Sequence, residues 1–195
     1  MRKGNRIHDL AQIALMSAIF CVLAPIAMPV PFSPVPITFG TLVLYLTGTV
    51  LGAKKGAASV GIYLLIGLAG LPVFSGFTAG FTKLMGPGGG YMLGYLPAVI
   101  CIGWLTKRET EGRGLRQNLK MAGIFVCGAL LCYSFGTAWF LVVMDGTYTF
   151  LQAILICVVP FLPFEFVKIV LACIISLPIK RKLRRAGIMS TEEYM

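Results

Sequence analysis

The sequence predicts an all-α membrane protein of six transmembrane helices, with both termini cytoplasmic and a structured outer region between segments 3 and 4 over a ligand pocket. Three observations carry that expectation. Of 195 residues, 57% are hydrophobic and 12% charged, with a mean hydropathy of +0.87, whereas soluble domains carry about 25% charged residues. The basic residues are clustered: Arg2, Lys3 and Arg6; Lys54 and Lys55; Lys107, Arg108, Arg113, Arg116 and Lys120; Lys180, Arg181, Lys182, Arg184 and Arg185. Each cluster adjoins an apolar run and they recur at every second connection, which is the positive-inside pattern. Finally, Glu165 and Lys168 stand one helical turn apart inside an apolar run, where each charge alone costs about 2.5–3.5 kcal/mol at a membrane helix centre, so the pair reads as functional. The plainer reading is a neutralised pair that only fixes helix packing.

These features exclude several function classes. The net charge of +10 does not signal nucleic acid, because no soluble domain exists to hold a basic face. Cys21, Cys101, Cys127, Cys132, Cys157 and Cys173 sit singly in apolar runs without CxxC spacing and read as small buried hydrophobes. His8 stands alone, so neither a metal site nor a histidine-based catalytic centre is expected. No stretch fits G-x-x-x-x-G-K-[ST], which argues against ATP hydrolysis by this chain.

Segment 1 is placed at about 9–28, after a basic amino end; at about twenty apolar residues, with more spans following, it reads as a permanent helix rather than a cleaved signal. Ala11, Ala14 and Ala18 recur along it at helical spacing beside Ser17, a small-residue stripe that suits packing within the bundle or contact with a partner equally. Residues 29–36, PVPFSPVP, form a stiff outer connection that cannot be helical. Segment 2, about 37–53, ends at Lys54-Lys55 and carries Gly48 and Gly52 in GxxxG spacing. Segment 3 covers about 56–71.

The stretch from Leu71 to Tyr91 is too rich in Gly and Pro for a straight spanning helix and too apolar for a solvated loop. Such backbone is tolerated at membrane depth where protein buries it or where it lines a cavity, so it reads as a lid over a pocket. Glycines such as Gly88 and Gly89 let backbone approach a ligand, while Phe74, Phe77, Phe81 and Tyr91 supply apolar walls, with Thr78 among the ligand-facing residues. Segment 4, about 90–106, leads to the basic loop, which also holds Glu109 and Glu111, and segment 5 covers about 121–143. LQAILICVV then reads either as a short outer helix or as the start of the last span. Pro160 and Pro163 place the start of segment 6 near Leu162 and its end near Ile179, roughly 27 Å of helix. Glu165 falls in its first turn, where the helix dipole favours a carboxylate.

Outside the four clusters only Lys83 and Lys168 remain, and both belong to the outer half. Glu165, Lys168 and Lys83 among aromatics suit a small, mostly apolar ligand bearing hydrogen-bond donors and an anionic end. Glu165 would accept from N–H groups, Lys168 would donate to a carbonyl or tether Glu165, and Lys83 would meet a carboxylate. Lys83 reads equally as a snorkelling lysine, and Tyr91 as an interface anchor.

GLPVFSGFTAGF at 70–81, GPGGGYMLGY at 86–95 and PFLPFEFVK at 160–168 resemble the signatures of the BioY family, the biotin-specific substrate-binding components of energy-coupling factor vitamin transporters. VPITFGTLVLYLTG at 35–48 and the Ala14-x-x-x-Ala18 face are similar too, so the resemblance covers nearly the whole chain. It implies a six-helix bundle in a prokaryotic plasma membrane, surrounded by lipid, with biotin bound on the outer side under structured outer loops 1–2 and 3–4, no cofactor and no chemistry on the ligand. It also implies that the helix 1 face, Ala14 and Ala18, docks on a transmembrane coupling subunit driven by two cytoplasmic ATPases. Helix 6 of the family usually carries an Asp three residues before a Lys. Here Lys168 is kept and the acid is Glu165, one methylene longer, so the acceptor role carries over but the ureido geometry does not. The role of Lys83 is a reading of this sequence rather than of the resemblance. Biotin capture is therefore the expected function. The alternatives are a binding component for another vitamin, or a membrane-embedded enzyme using Glu165 as acid or base, for which the apolar runs supply few further polar groups.

Overall fold

The computed structural model describes residues 3–31, 33–108 and 115–185; Arg2, Phe32, Glu109, Glu111 and Arg113 lie outside them. The first helix, α1, runs Lys3–Leu23. It stops short of the expected residue 28 because Pro25 has no amide to give and disfavours helix in the residue before it. The last turn closes with the Ala24 amide donating to the Phe20 carbonyl at 2.9 Å.

The proline-rich connection is not a plain loop. Strands β1 (Ala27–Val30) and β2 (Ser33–Thr38) pair antiparallel, with Ala27 opposite Thr38, Met28 opposite Ile37 and Val30 opposite Ser33. This small sheet is an addition to the all-α expectation. Proline favours extended backbone, and β2 alternates so that Val35 and Ile37 are buried. Their side chains join Phe140, Ala153, Cys157 and Phe161 in a satellite core that pins the hairpin over one end of the bundle.

Helix α2 covers Gly40–Leu68 but is interrupted at Gly52, whose φ of 73° and ψ of −171° lie outside the helical region. The chain doubles back there: a Cβ built on Gly56 would lie 3.7 Å from the Thr47 carbonyl oxygen, although nine residues of continuous helix would separate the two by about 13.5 Å. Only glycine adopts such a φ readily. The turn rests on Gly103, where a Cβ would come within 2.3 Å of the Ala53 nitrogen. Segments 2 and 3 are thus the two arms of α2, with residues 37–38 in β2 and 69–71 beyond the helix.

The lid contains a tight turn, closed by backbone bonds between Phe74 and Thr78, and the short helix α3 (Phe81–Met85). Helix α4 (Gly89–Arg108) packs against both α2 and α5 (Leu115–Val143). LQAILICVV resolves as a separate short helix, α6 (Phe150–Cys157), started by a capping box between Thr149 and Gln152. A 3-10 turn at Val159–Phe161 leads into α7 (Leu162–Arg185), which continues past the expected end at Ile179.

One end of the bundle gathers the basic residues. Lys55 pairs with Asp9 of α1 at 2.6 Å, the Gly52 turn rests on Gly103, and Lys180 Nζ donates to the Thr106 carbonyl at 2.9 Å. Midway along α1, Ser17 donates to the Ser59 carbonyl at 3.0 Å. Among the described residues, five helical stretches are long and apolar enough to cross a membrane, the folded α2 being one.

Candidate functional site

At the end opposite the basic cluster, the hairpin, the lid and four helices surround a cavity of about 600 Å³, counting space open to the outside. β2 contributes Val35, Pro36 and Thr38, and α2 contributes Thr41 and Tyr63. The lid and α4 add Ser75, Gly88, Tyr91, Met92 and Tyr95, α5 adds Cys132 and Tyr133, and Phe161, Glu165 and Lys168 close the wall. Most of this surface is apolar or aromatic, and its ionic groups are Glu165 and Lys168.

Glu165 and Lys168 are 3% and 7% exposed, so both side chains turn into the protein. Lys168 Nζ lies 2.7 Å from Glu165 Oε2 and donates to Thr41 Oγ1 at 2.7 Å and to the Thr38 carbonyl at 3.2 Å. All three ammonium donors therefore have acceptors. Glu165 Oε2 also accepts from Thr41 at 3.3 Å and from the Tyr133 hydroxyl at 3.1 Å, while Oε1 accepts from Tyr45. Tyr45 is fully buried, stacked on Phe125 with ring centroids 4.9 Å apart, and does not line the cavity. The network joins β2, both sides of the α2 entrance, α5 and α7 around one carboxylate.

The fold explains this arrangement. Glu165 and Lys168 occupy one face of the first turns of α7, spaced as neighbours on a helix surface. Thr41 and Tyr45 are four apart in the first arm of α2 and present their hydroxyls to the same carboxylate. Tyr91 is a wall rather than an interface anchor. Its ring meets Tyr133 edge-on at 6.1 Å, and its hydroxyl donates to the Cys157 carbonyl at 3.3 Å.

Other residues expected at the ligand lie elsewhere. Phe74 does not line the cavity: it is fully buried, set edge-on to Tyr63 at 5.7 Å, with its ring occupying the space a side chain at Gly67 would fill. Its neighbours Phe77 and Phe81 are exposed. Thr78 donates to the Ser75 carbonyl at 3.0 Å and so holds the lid turn. Gly89 belongs to the α3–α4 junction, where a Cβ would strike the Leu84 carbonyl oxygen. Lys83 is half-buried on α3 outside the lining. Ala14 and Ala18 are exposed on α1, whereas Ser17 turns inward.

Sequence reasoning missed Thr41, Tyr45 and Tyr133. The available signal was a pair of hydroxyls four residues apart in an otherwise apolar run, together with the requirement that a buried carboxylate find donors.

The sequence profile of the BioY family matches residues 1–185. This chain belongs to the BioY family. Among its BioY relatives, the biotin transporter BioY2 of Lactococcus lactis subsp. cremoris is 34% identical over 179 residues, spanning 90% of both chains. The biotin transporter BioY of Thermotoga maritima is 32% identical over 175 residues, 89% of this chain and 96% of its own. A crystal structure of the S-component for biotin from an ECF-type ABC transporter superposes with a TM-score of 0.81 at 27% identity, covering 100% of this chain and 98% of the other. With its apolar helices, BioY membership makes the chain a multi-pass membrane protein of the transporter class rather than an enzyme.

Proposed function

We propose that this chain is the biotin-capturing component of an ATP-driven importer of the energy-coupling factor type. The observation that carries the reading is the Glu165–Lys168 pair, buried and hydrogen-bonded on one wall of an aromatic cavity at the end of the bundle away from its basic residues. The arms of α2 count as separate crossings, giving six with α1, α4, α5 and α7, and the basic end faces the cytoplasm. The cavity then opens in the outer half. A fused ureido ring has N–H donors and a carbonyl at one end of a compact apolar body. Glu165 accepts from an N–H, Lys168 tethers that carboxylate, and Tyr63, Tyr91 and Tyr95 enclose the ring. Gly88 lets the lid backbone approach, and Phe74 and Thr78 shape the lid from behind. Lys83 meets the carboxylate of the ligand when α3 closes over it.

Energy comes from outside the chain. The exposed α1 face with Ala14 and Ala18 docks on a transmembrane coupling subunit, which two cytoplasmic ATPases drive. Titrating the purified protein with biotin, desthiobiotin, thiamine and riboflavin tests the ligand assignment. Tight binding of biotin with no response to thiamine or riboflavin is expected; tight binding of another vitamin without biotin would overturn it.

A further inference from the structure

Glu165 Oε2 has more donors than it can serve. An sp² carboxylate oxygen offers two lone pairs, yet Lys168, Thr41 and Tyr133 all point at this one atom, at 2.7, 3.3 and 3.1 Å. Those three side chains line the cavity, and Tyr45, which holds the other oxygen, does not. The oxygen facing the ligand is therefore the crowded one. A ligand N–H can reach it only when a present donor withdraws.

The three donors are not equally held. Lys168 is bound by charge and by two further acceptors, and Thr41 is held in place by accepting from Lys168. The Tyr133 side chain has its hydroxyl bond to Glu165 and an edge-on ring contact with Tyr91, and it is half-buried at the wall. On the far side, Tyr45 is fully buried and stacked on Phe125, so it has no room to withdraw.

We infer that the two tyrosines on Glu165 have opposite duties: Tyr133 is a placeholder that occupies the acceptor position until a ligand N–H displaces it, and Tyr45 is a positioning residue that fixes the carboxylate throughout. This rests on the biotin reading above. The bond to Glu165 keeps the Tyr133 hydroxyl satisfied at the cavity wall, since a buried donor without an acceptor is costly. On loading, that hydroxyl loses its bond, and the loss is subtracted from affinity.

Calorimetric titration of biotin into the detergent-purified wild type, Tyr133→Phe and Tyr45→Phe tests the division. Removing a competitor should tighten binding to Tyr133→Phe by about three- to tenfold, the size of one exchanged hydrogen bond. Tyr45→Phe should weaken it by tenfold or more. A hydroxyl that serves only structure, or that touches the ligand, cannot produce a gain, so unchanged or weaker binding in Tyr133→Phe overturns the inference. A tyrosine ultraviolet difference spectrum on loading should appear in the wild type and lose the Tyr133 contribution in Tyr133→Phe, while the signal of the enclosing Tyr63, Tyr91 and Tyr95 remains; a spectrum of undiminished amplitude in that variant also overturns it. Should Tyr45→Phe fail to fold, the sign of the Tyr133→Phe change decides alone. Failure of the wild type to bind biotin would instead sink the ligand assignment, and is read separately.

Discussion

Helix α7 carries two buried lysines, Lys168 and Lys180, with exposures of 7% and 8%. They are twelve residues, about 18 Å, apart and belong to opposite ends of the bundle. Lys168 meets a carboxylate, a hydroxyl and a carbonyl on the wall of a cavity. Lys180 donates to the carbonyl of Thr106, in the last turn of α4, where helix carbonyls lack intrahelical partners. The two residues are buried to nearly the same extent; the surroundings differ. One lysine shapes a space for a guest, and the other caps a neighbouring helix and fixes α7 against it. A buried charge therefore marks a binding site when open volume lies beside it, and marks architecture when it closes a helix end.

The strongest way to break this comparison is at Glu165. Glu165→Ala removes the acceptor of four donors and leaves the Lys168 ammonium with only Thr41 and the Thr38 carbonyl. Biotin affinity should fall by more than about a hundredfold, and stability by about 3–5 kcal/mol, the cost of orphaning one member of a buried pair. Isothermal titration and thermal unfolding in detergent measure the two effects. Wild-type affinity in this variant would show that the pair is structural, like Lys180, and that the cavity wall does not recognise the ligand through it.

What could be read in the sequence divides along the same line. Glu165 and Lys168 announce themselves because charge in an apolar run needs a reason, whatever the fold. Tyr45, Thr41 and Tyr133 do not, since a hydroxyl is unremarkable in a membrane helix and its partner depends on how α2, α5 and α7 pack. The turn at Gly52 was visible as a basic Lys54-Lys55 boundary, but its sharpness comes from a single glycine resting on Gly103 across the bundle. The four prolines around residue 30 excluded helix. That they form a hairpin depended on Val35 and Ile37 finding Phe140 and Phe161 from distant parts of the chain. In the lid, Phe74, Phe77 and Phe81 are indistinguishable as letters, and backbone turns alone send the first inward and the others out. By sequence Lys180 belongs with the basic cluster that follows the expected helix end near Ile179; the helix continues to Arg185 and carries that ammonium onto α4.

A smaller effect, of different kind, is expected at Lys180. Lys180→Met keeps the apolar stem and removes the donor, leaving the Thr106 carbonyl buried without it. The cost of about 1–3 kcal/mol corresponds to a fall in Tm of roughly 2–12 °C for a chain of this size. Biotin affinity should stay within about twofold, because the lost contact is remote from the cavity. A large loss of affinity with unchanged Tm would mean that the two ends are coupled and that the division drawn from the lysines is wrong.

Least change in the purified subunit is expected at Ala14. Its side chain is exposed on α1, one residue from the faces that Ile13 and Leu15 occupy and three from the inward Ser17 that bonds to Ser59. Because the Ala14 side chain is exposed among the described residues, binding and Tm should both hold in Ala14→Leu. On a face that must approach another helix closely, however, the added volume separates the two backbones, since small residues are what allow such contact. Uptake of labelled biotin by cells supplying the coupling subunit and ATPases should therefore drop by tenfold or more while affinity is unaltered. Unchanged uptake would move the proposed docking face off α1 and leave Ala14 and Ala18 as ordinary exposed positions of that helix.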